Sequence, residues 1–242
     1  MMNIVIPMAG RGSRFADAGY QLPKPLIDVN GRPMIDVVIE NIRPKQPYRF
    51  IFLCLQEHLD RYDLVKHLKT IEPDCEIVAV DHVTEGAACT VLLAESLIDT
   101  DAPLMIANSD QYVECDIDQY LDRCKGHDGL IMTMKAYDDK WSFIQYDEQG
   151  FVVTVREKEV ISDEATVGIY NFSAGSDFVR YAHQMIEADL RVNHEFYVAP
   201  VYNLMIRDGR KIAYYNIGAL DDGMYGLGTP DDLNRFLNRT KK

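Results

Sequence analysis

The sequence is short of positive charge. Twenty-five Lys and Arg residues face 38 Asp and Glu, a formal net charge of −13, and a field of that sign repels nucleic acid and anionic lipid at long range. No stretch approaches the roughly 18 uninterrupted apolar residues that a membrane span needs. Cysteine is sparse and odd in number: Cys54, Cys75, Cys89, Cys115 and Cys124 include no Cys-x-x-Cys pair. That argues against disulfides and a zinc site, and predicts reduced thiols that serve mostly as small core residues. The six histidines fall in separate predicted elements without ligand spacing. Linkers rich in Gly, Ser or Pro, internal repeats and low-complexity tracts are all missing. No basic leader precedes the first apolar run, which is only as long as one strand, so a cytoplasmic protein is expected.

What is present suits one large domain. The 242 residues are 47% hydrophobic and 26% charged, ordinary values for a chain with a full core. In the first half, short apolar runs rich in β-branched residues predict strands at 3–8, 50–55, 76–81 and 104–108. Between them, 33–42, 57–71 and 86–98 predict helices, with Pro33 at a first helical position. Such alternation implies crossover units and a mainly parallel, doubly wound sheet, whose ligands bind beyond the carboxyl ends of the strands. From Gly129 the strand candidates crowd together at 130–137, 142–147, 151–156 and 166–172, with Asp147 to Gly150 as a hairpin turn. A helix at 177–190, a strand at 211–217 and a helix at 230–237 complete the pattern.

The segment Ala9-Gly10-Arg11-Gly12-Ser13-Arg14 follows the first predicted strand. Glycines let a backbone turn sharply and approach a ligand, and successive N–H groups in such a turn form a concavity for anions. Ser13 adds a hydroxyl, and Arg11 and Arg14 add guanidinium donors suited to phosphate oxygens. Ten positions after Arg14, Lys24 stands between Pro23 and Pro25, which limit its backbone freedom. A dinucleotide fingerprint would need glycine at Phe15, and a Walker loop would need Gly-Lys-Ser/Thr, which the chain does not contain.

Gly10-x-Gly12-Ser13-Arg14 followed by Pro23-Lys24-Pro25-Leu26 resembles the signature of the sugar-phosphate nucleotidyltransferase family. Further motifs extend the resemblance along most of the chain. Glu85-Gly86-Ala87-Ala88 is similar to the family's nucleobase loop, and Asn108-Ser109-Asp110 to its metal-binding strand end. Glu157-Lys158 and the segment around Gly168 resemble its substrate-side motifs, and Gly228-Thr-Pro-Asp-Asp-Leu233 its C-terminal segment. The resemblance implies a Rossmann-like, doubly wound mixed sheet with a β-rich, substrate-binding C-terminal part. It divides a single domain, 1–242, into a nucleotide-binding half, 1–128, and an acceptor-binding half, 129–242.

The reaction implied is transfer of a nucleoside monophosphate from an NTP to a sugar phosphate, with release of pyrophosphate, for activated precursors of surface polysaccharide. Arg14 and Lys24 are the implied catalytic cations. Ala9, Gly10, Gly12, Ser13, Glu85 and Gly86 would contact the nucleotide, with Gly86 letting backbone meet the base edge. Glu157, Lys158, Gly168 and Glu195 would contact the acceptor, and Asp110 would hold Mg²⁺. The expected partners are therefore an NTP and a phosphorylated small molecule, without nucleic acid or membrane, and a homo-oligomer is left open. One position departs from the pattern: where many members carry a second metal-binding aspartate, this chain has Gly226. Asp221 and Asp222 are the nearest upstream acids. Asp116 and Asp118 read as caps of a helix near Ile117 rather than as the Asp-x-Asp pair of a glycosyltransferase. Two alternatives stay open: a cytidylyltransferase acting on phosphocholine or a phosphorylated amino acid, and a non-catalytic nucleotide-binding regulator.

Overall fold

A computed structural model describes residues 1–239. In chain order, β1 (Met2–Met8) leads through α1 (Ser13–Asp17) and a 3-10 turn at Lys24–Leu26 to the small hairpin β2 (Asp28–Val29) and β3 (Arg32–Pro33). Then follow α2 (Met34–Ile42), β4 (Tyr48–Leu55), α3 (Gln56–Arg61), α4 (Leu64–Ile71), β5 (Glu76–Val80), α5 (Ala87–Leu92), α6 (Glu95–Ile98), β6 (Leu104–Ala107), β7 (Gln111–Val113) and α7 (Ile117–Asp122). The second half holds β8 (Gly129–Lys135), β9 (Ser142–Tyr146), β10 (Val152–Glu157), β11 (Glu164–Phe172), α8 (Gly175–Glu187), α9 (Val201–Arg207), β12 (Ile212–Leu220), β13 (Gly223–Gly226) and α10 (Pro230–Arg239).

One 11-stranded sheet runs β5-β4-β1-β6-β11-β8-β12-β13-β7, with β9 and β10 attached beside β11. The pairs from β5 to β6 are parallel, β11 is antiparallel to both neighbours, and β13 is antiparallel to β7. The doubly wound mixed sheet expected from the sequence is thus observed. Helices cover both faces, and β1 shows why. Its Val5 belongs to the core cluster that holds residues of α5, α8 and α9, while Ile4 and Ile6 belong to the one that holds residues of α2 and α4. Alternation of period two buries a continuous apolar strand on both faces. Amphipathic α2 turns Ile35, Val38, Ile39 and Ile42 inward at helical spacing.

Several expectations are corrected. Pro33 closes β3 and precedes α2 with an extended ψ of 142°, so it is not the first helical residue. The predicted helix 57–71 is two helices, because Asp63 takes a left-handed φ of 50° between them. The predicted helix 86–98 is likewise split, at Ala94. Strands β7 and β13 and helix α9 were not foreseen. The Asp147–Gly150 turn is present, with Gly150 at φ 82° and the Asp147 carboxylate accepting from the N–H groups of Gln149 and Phe151. All five thiols are free, and Cys54 and Cys75 are buried. No helix among the described residues is long and apolar enough to cross a membrane.

Asp116 is the N-cap of α7, accepting hydrogen bonds from the N–H groups of Asp118 and Gln119 at 3.0 and 3.2 Å. That use is the ordinary one for a carboxylate before a helix, and it answers the Asp-x-Asp question. Asp116→Ala is expected to lower stability by about 0.5–2 kcal/mol, read as a lower midpoint in urea with an unchanged slope. An unaltered midpoint would contradict the capping role.

Candidate active site

At the carboxyl edge of β6 the chain leaves the sheet through Asn108, Ser109 and Asp110. Two backbone bonds pin this corner: the Asn108 N–H donates to the Gly168 carbonyl at 3.0 Å, and the Leu227 N–H donates to the Asp110 carbonyl at 2.8 Å. Gly168 lies where the register of β11 against β8 shifts, between Thr166 and Tyr170. Its φ is +82°, and a Cβ there would collide with the Asn108 side chain. Only glycine fits on both counts.

The glycine-rich loop approaches the same corner from β1. Gly12 takes a left-handed φ of 62° just before α1, and a Cβ on it would sit 3.2 Å from the Lys24 Cβ. The loop is thereby folded onto the Pro23-Lys24-Pro25 turn. From that turn the Lys24 ammonium donates to Asp110 Oδ2 at 2.9 Å, with the two side chains 22% and 26% exposed. A pair this open to water adds little stability. Its effect is positional: it brings the candidate catalytic cation to the candidate metal ligand across 86 residues of sequence.

This corner borders a cleft of about 670 Å³. Arg14, Asp110, Glu157, Lys158, Gly168 and Glu195 line it, whereas Gly12 and Lys24 line a smaller neighbouring cavity. Six residues nominated from sequence therefore share one cavity, and Lys24 reaches it through Asp110. Ala9 is buried behind the loop, whereas Gly10 and Ser13 are exposed. Glu85 and Gly86 lie outside the lining. The Glu85 carboxylate pairs with Arg191 at 2.9 Å, and its carbonyl accepts from the Phe196 N–H. Gly86 has φ 131° and is pressed against the Phe196 backbone, where a Cβ would collide. Close packing of the 193–198 segment thus gives this glycine a structural reason of its own, beside the base contact expected from the sequence.

Glu157 ends the β9–β10 hairpin, and Lys158 follows it. Ser142 and Glu157 are cross-strand partners, and the Ser142 hydroxyl donates to the Glu157 carboxylate. Burial pushes the Glu157 carboxyl above its ordinary value; Ser142 and Lys158 oppose that, and Glu195 adds to it. Lys158 adopts a left-handed φ of 56° with its N–H on the Trp141 carbonyl, and its ammonium donates to the Tyr197 hydroxyl at 2.7 Å. That bond, ahead of the opposing cost of burial, holds the Lys158 ammonium above its usual range. A non-glycine residue held in this backbone region is strained by about 1–3 kcal/mol and is a feature of functional sites.

The Gly226 position is also explained. A Cβ on Gly226 would lie 3.3 Å from the Asp232 carboxylate carbon, and one on Gly228 would lie 2.5 Å from Asp110 Oδ2. Asp232 is engaged by the Thr229 hydroxyl at 2.7 Å and by Arg235 in the first turn of α10. Asp221 pairs with Arg235 at 3.1 Å and Asp222 is exposed, and neither lines the cleft, so neither takes the missing aspartate's place. Among the described residues no group of three His, Cys, Asp or Glu converges as a metal site. Asp110 ends its strand in the cleft, and Asp231 and Asp232 line the same cavity, Asp232 with its carboxylate already engaged by Thr229 and Arg235. Asp110 would suit a cation whose remaining ligands are substrate phosphates and water. Sequence reasoning missed Gln111, Arg235 and Tyr197 as cleft residues. Only Gln111 carried a signal, its position directly after the Asn108-Ser109-Asp110 motif.

Comparison with known proteins bears on the family and the fold. The family profile described as nucleotidyl transferase matches residues 4–219. The bifunctional protein GlmU of Methanococcus aeolicus is 25% identical over 176 residues, which cover 71% of this chain and 40% of that protein. The chain thus spans about two fifths of the length of that curated relative. A solved nucleoside-diphosphate-sugar pyrophosphorylase from Vibrio cholerae is 25% identical, with a TM-score of 0.86 over 97% of this chain and 99% of its own. A UDP-glucose pyrophosphorylase solved with UDP-glucose shares the fold at 17% identity, with a TM-score of 0.80 over 100% and 98% of the two chains.

Because the folded value of Glu157 is raised, ionising it costs stability above its unfolded value, and that cost fades as pH falls through the folded value. Glu157→Gln is therefore expected to melt higher than wild type at pH 8, with the advantage shrinking toward pH 4. A difference that grows on acidification would reverse the sign and overturn the assignment.

Proposed function

The chain belongs to the nucleotidyl transferase family, and on that premise we propose that it transfers a nucleoside monophosphate from an NTP to a sugar phosphate and releases pyrophosphate. The observation that carries this reading is the cleft. It brings together Arg14 and Asp110, to which Lys24 is bonded, with Glu157, Lys158 and Glu195.

An oxygen of the acceptor phosphate attacks the α-phosphorus of the NTP. The new P–O bond forms as the bond to the bridging oxygen of the β-phosphate breaks, and that oxygen leaves with pyrophosphate. The nucleophile is already an anion, so no side chain need remove a proton. The difficulty is to hold two anions together, and catalysis rests on positioning and charge neutralisation. Arg14 and Lys24 supply positive charge at the donor phosphates, inside a protein whose net charge is −13. Asp110 is the residue that would hold Mg²⁺, which when bound neutralises phosphate oxygens. Lys158 then faces the acceptor phosphate, and Glu157 and Glu195 its hydroxyls. On this reading residues 1–128 form the donor half and 129–242 the acceptor half of one domain.

The aromatic lining favours a hydroxylated acceptor over a quaternary ammonium. The Lys140 ammonium lies 5.1 Å from the Trp141 ring centre, and that of Lys158 lies 5.0 Å from the Tyr197 ring centre. Both rings already carry a cation, whereas a choline group needs free aromatic faces.

The test is a panel of four NTPs against hexose 1-phosphates, phosphocholine and phosphoserine, scored by pyrophosphate release. Turnover with a hexose phosphate is expected, and Arg14→Ala and Lys24→Ala should each remove about 2.7–4 kcal/mol of transition-state stabilisation, roughly a hundredfold to a thousandfold in rate. Turnover confined to phosphocholine or phosphoserine would overturn the acceptor assignment. Nucleotide binding without turnover in any pairing would indicate a regulator instead.

A further inference from the structure

Two polar atoms of the cleft residues are buried without a hydrogen-bond partner, Nε2 of Gln111 and Nε1 of Trp141. Gln111 is the more telling. The residue is 3% exposed, and an amide N–H buried without an acceptor forfeits its hydration with nothing in return. A side chain held this way needs a ligand to complete it.

The sheet places that amide at the reaction corner. Gln111 opens β7 immediately after Asp110, and its antiparallel partner on β13 is Gly226. Residues directly opposed across a ladder project to the same face. The pairs Gln111–Gly226 and Val113–Met224 therefore share one face, with Val113 and Met224 in the core and Gln111 and Gly226 at the rim of the cleft. On its other flank Gln111 touches Gly168, where a Cβ would lie 2.9 Å from the Gln111 Oε1. The amide thus stands between Asp110, the bulge at Gly168 and the position where this chain has no carboxylate. An N–H donor cannot ligate a cation, but it is well suited to a phosphate oxygen.

We propose that Gln111 binds the acceptor phosphate, its Nε2 donating to a phosphate oxygen at the rim of the cleft, where its strand partner is Gly226. The proposal rests on the nucleotidyl-transfer reading and assigns one more residue to its acceptor site. An amide donor there neutralises part of the charge for which a second carboxylate-held cation would otherwise be used. Because Gln111 packs against Gly168, which the family resemblance assigns to the acceptor, the amide acts on the acceptor and not on the NTP.

Isothermal titration with inorganic phosphate, glucose 1-phosphate and UTP as separate probes tests this on the full chain. Gln111→Ala is expected to weaken phosphate and glucose 1-phosphate by about tenfold to a hundredfold, the range for a hydrogen bond to a charged group. Its affinity for UTP should stay within about twofold, and its melting temperature should not fall, since the variant removes an unsatisfied amide. Gln111→Glu, which sets a like charge against the phosphate, should weaken the same two probes further. Unchanged phosphate and glucose 1-phosphate affinities, an equal loss for UTP, or a wild type that binds neither acceptor probe would each overturn the proposal. The parent reading fails separately: absence of pyrophosphate release in the NTP panel would overturn catalysis while leaving the phosphate contact of Gln111 intact.

Discussion

The ion pair between Lys24 and Asp110 is the contact on which the candidate site depends. It ties a loop that follows the first strand to the corner that follows the sixth, and it does so at 2.9 Å in a partly open setting. Two glycines make it reachable. Gly12 lets the loop fold onto the Lys24 turn, and Gly168 lets the Asn108 corner sit against the bulged strand β11. In this structure the cation and the carboxylate satisfy each other. On the proposed reading a triphosphate with its cation would offer both groups new partners.

The cleft is electrically mixed, like the protein around it. Arg14, Lys140, Lys158 and Arg235 stand among Asp110, Glu157, Glu195, Asp231 and Asp232. Screening confines the field of more distant surface charges to about 8–10 Å, so the placing of these few groups, and not the net charge, decides what an anion meets there. On the proposed reading Glu157 and Glu195 stand at the acceptor end, where hydroxyl groups would donate to them, while Asp231 and Asp232 lie in the first turn of α10. Burial of Glu157 costs stability and is tolerated where a polar ligand would repay it.

Much of this could be read from sequence because the relevant signals are local. Strands β1, β4 and β6 were legible as short apolar runs, since strands buried on both faces leave no other composition open to them, and the half-exposed edge strand β5 by its β-branched residues. The loop at Gly10 to Arg14, the Pro-flanked Lys24 and the strand-end Asp110 were legible for the same reason, as residue types that phosphate chemistry demands at fixed spacing. What escaped depends on contacts distant in sequence. Strands β7 and β13 span only three and four residues, and they exist because Gln111 to Val113 and Gly226 to Met224 pair with one another. The break at Asp63 follows from a left-handed backbone that its composition does not announce. Gln111 gained its importance only when the sheet set it opposite Gly226, and the packing reason for Gly86 became visible only with Phe196 beside it.

The central claim is that an acceptor phosphate oxygen attacks the α-phosphorus within this cleft. The most direct measurement follows oxygen: hexose 1-phosphates labelled with ¹⁸O in the phosphate are incubated with the protein and all four NTPs, and the products are weighed by mass spectrometry. The account predicts that the label is retained in a nucleoside diphosphate sugar and that the pyrophosphate released is unlabelled. Label in the pyrophosphate, or the absence of any labelled nucleotide sugar, would contradict it.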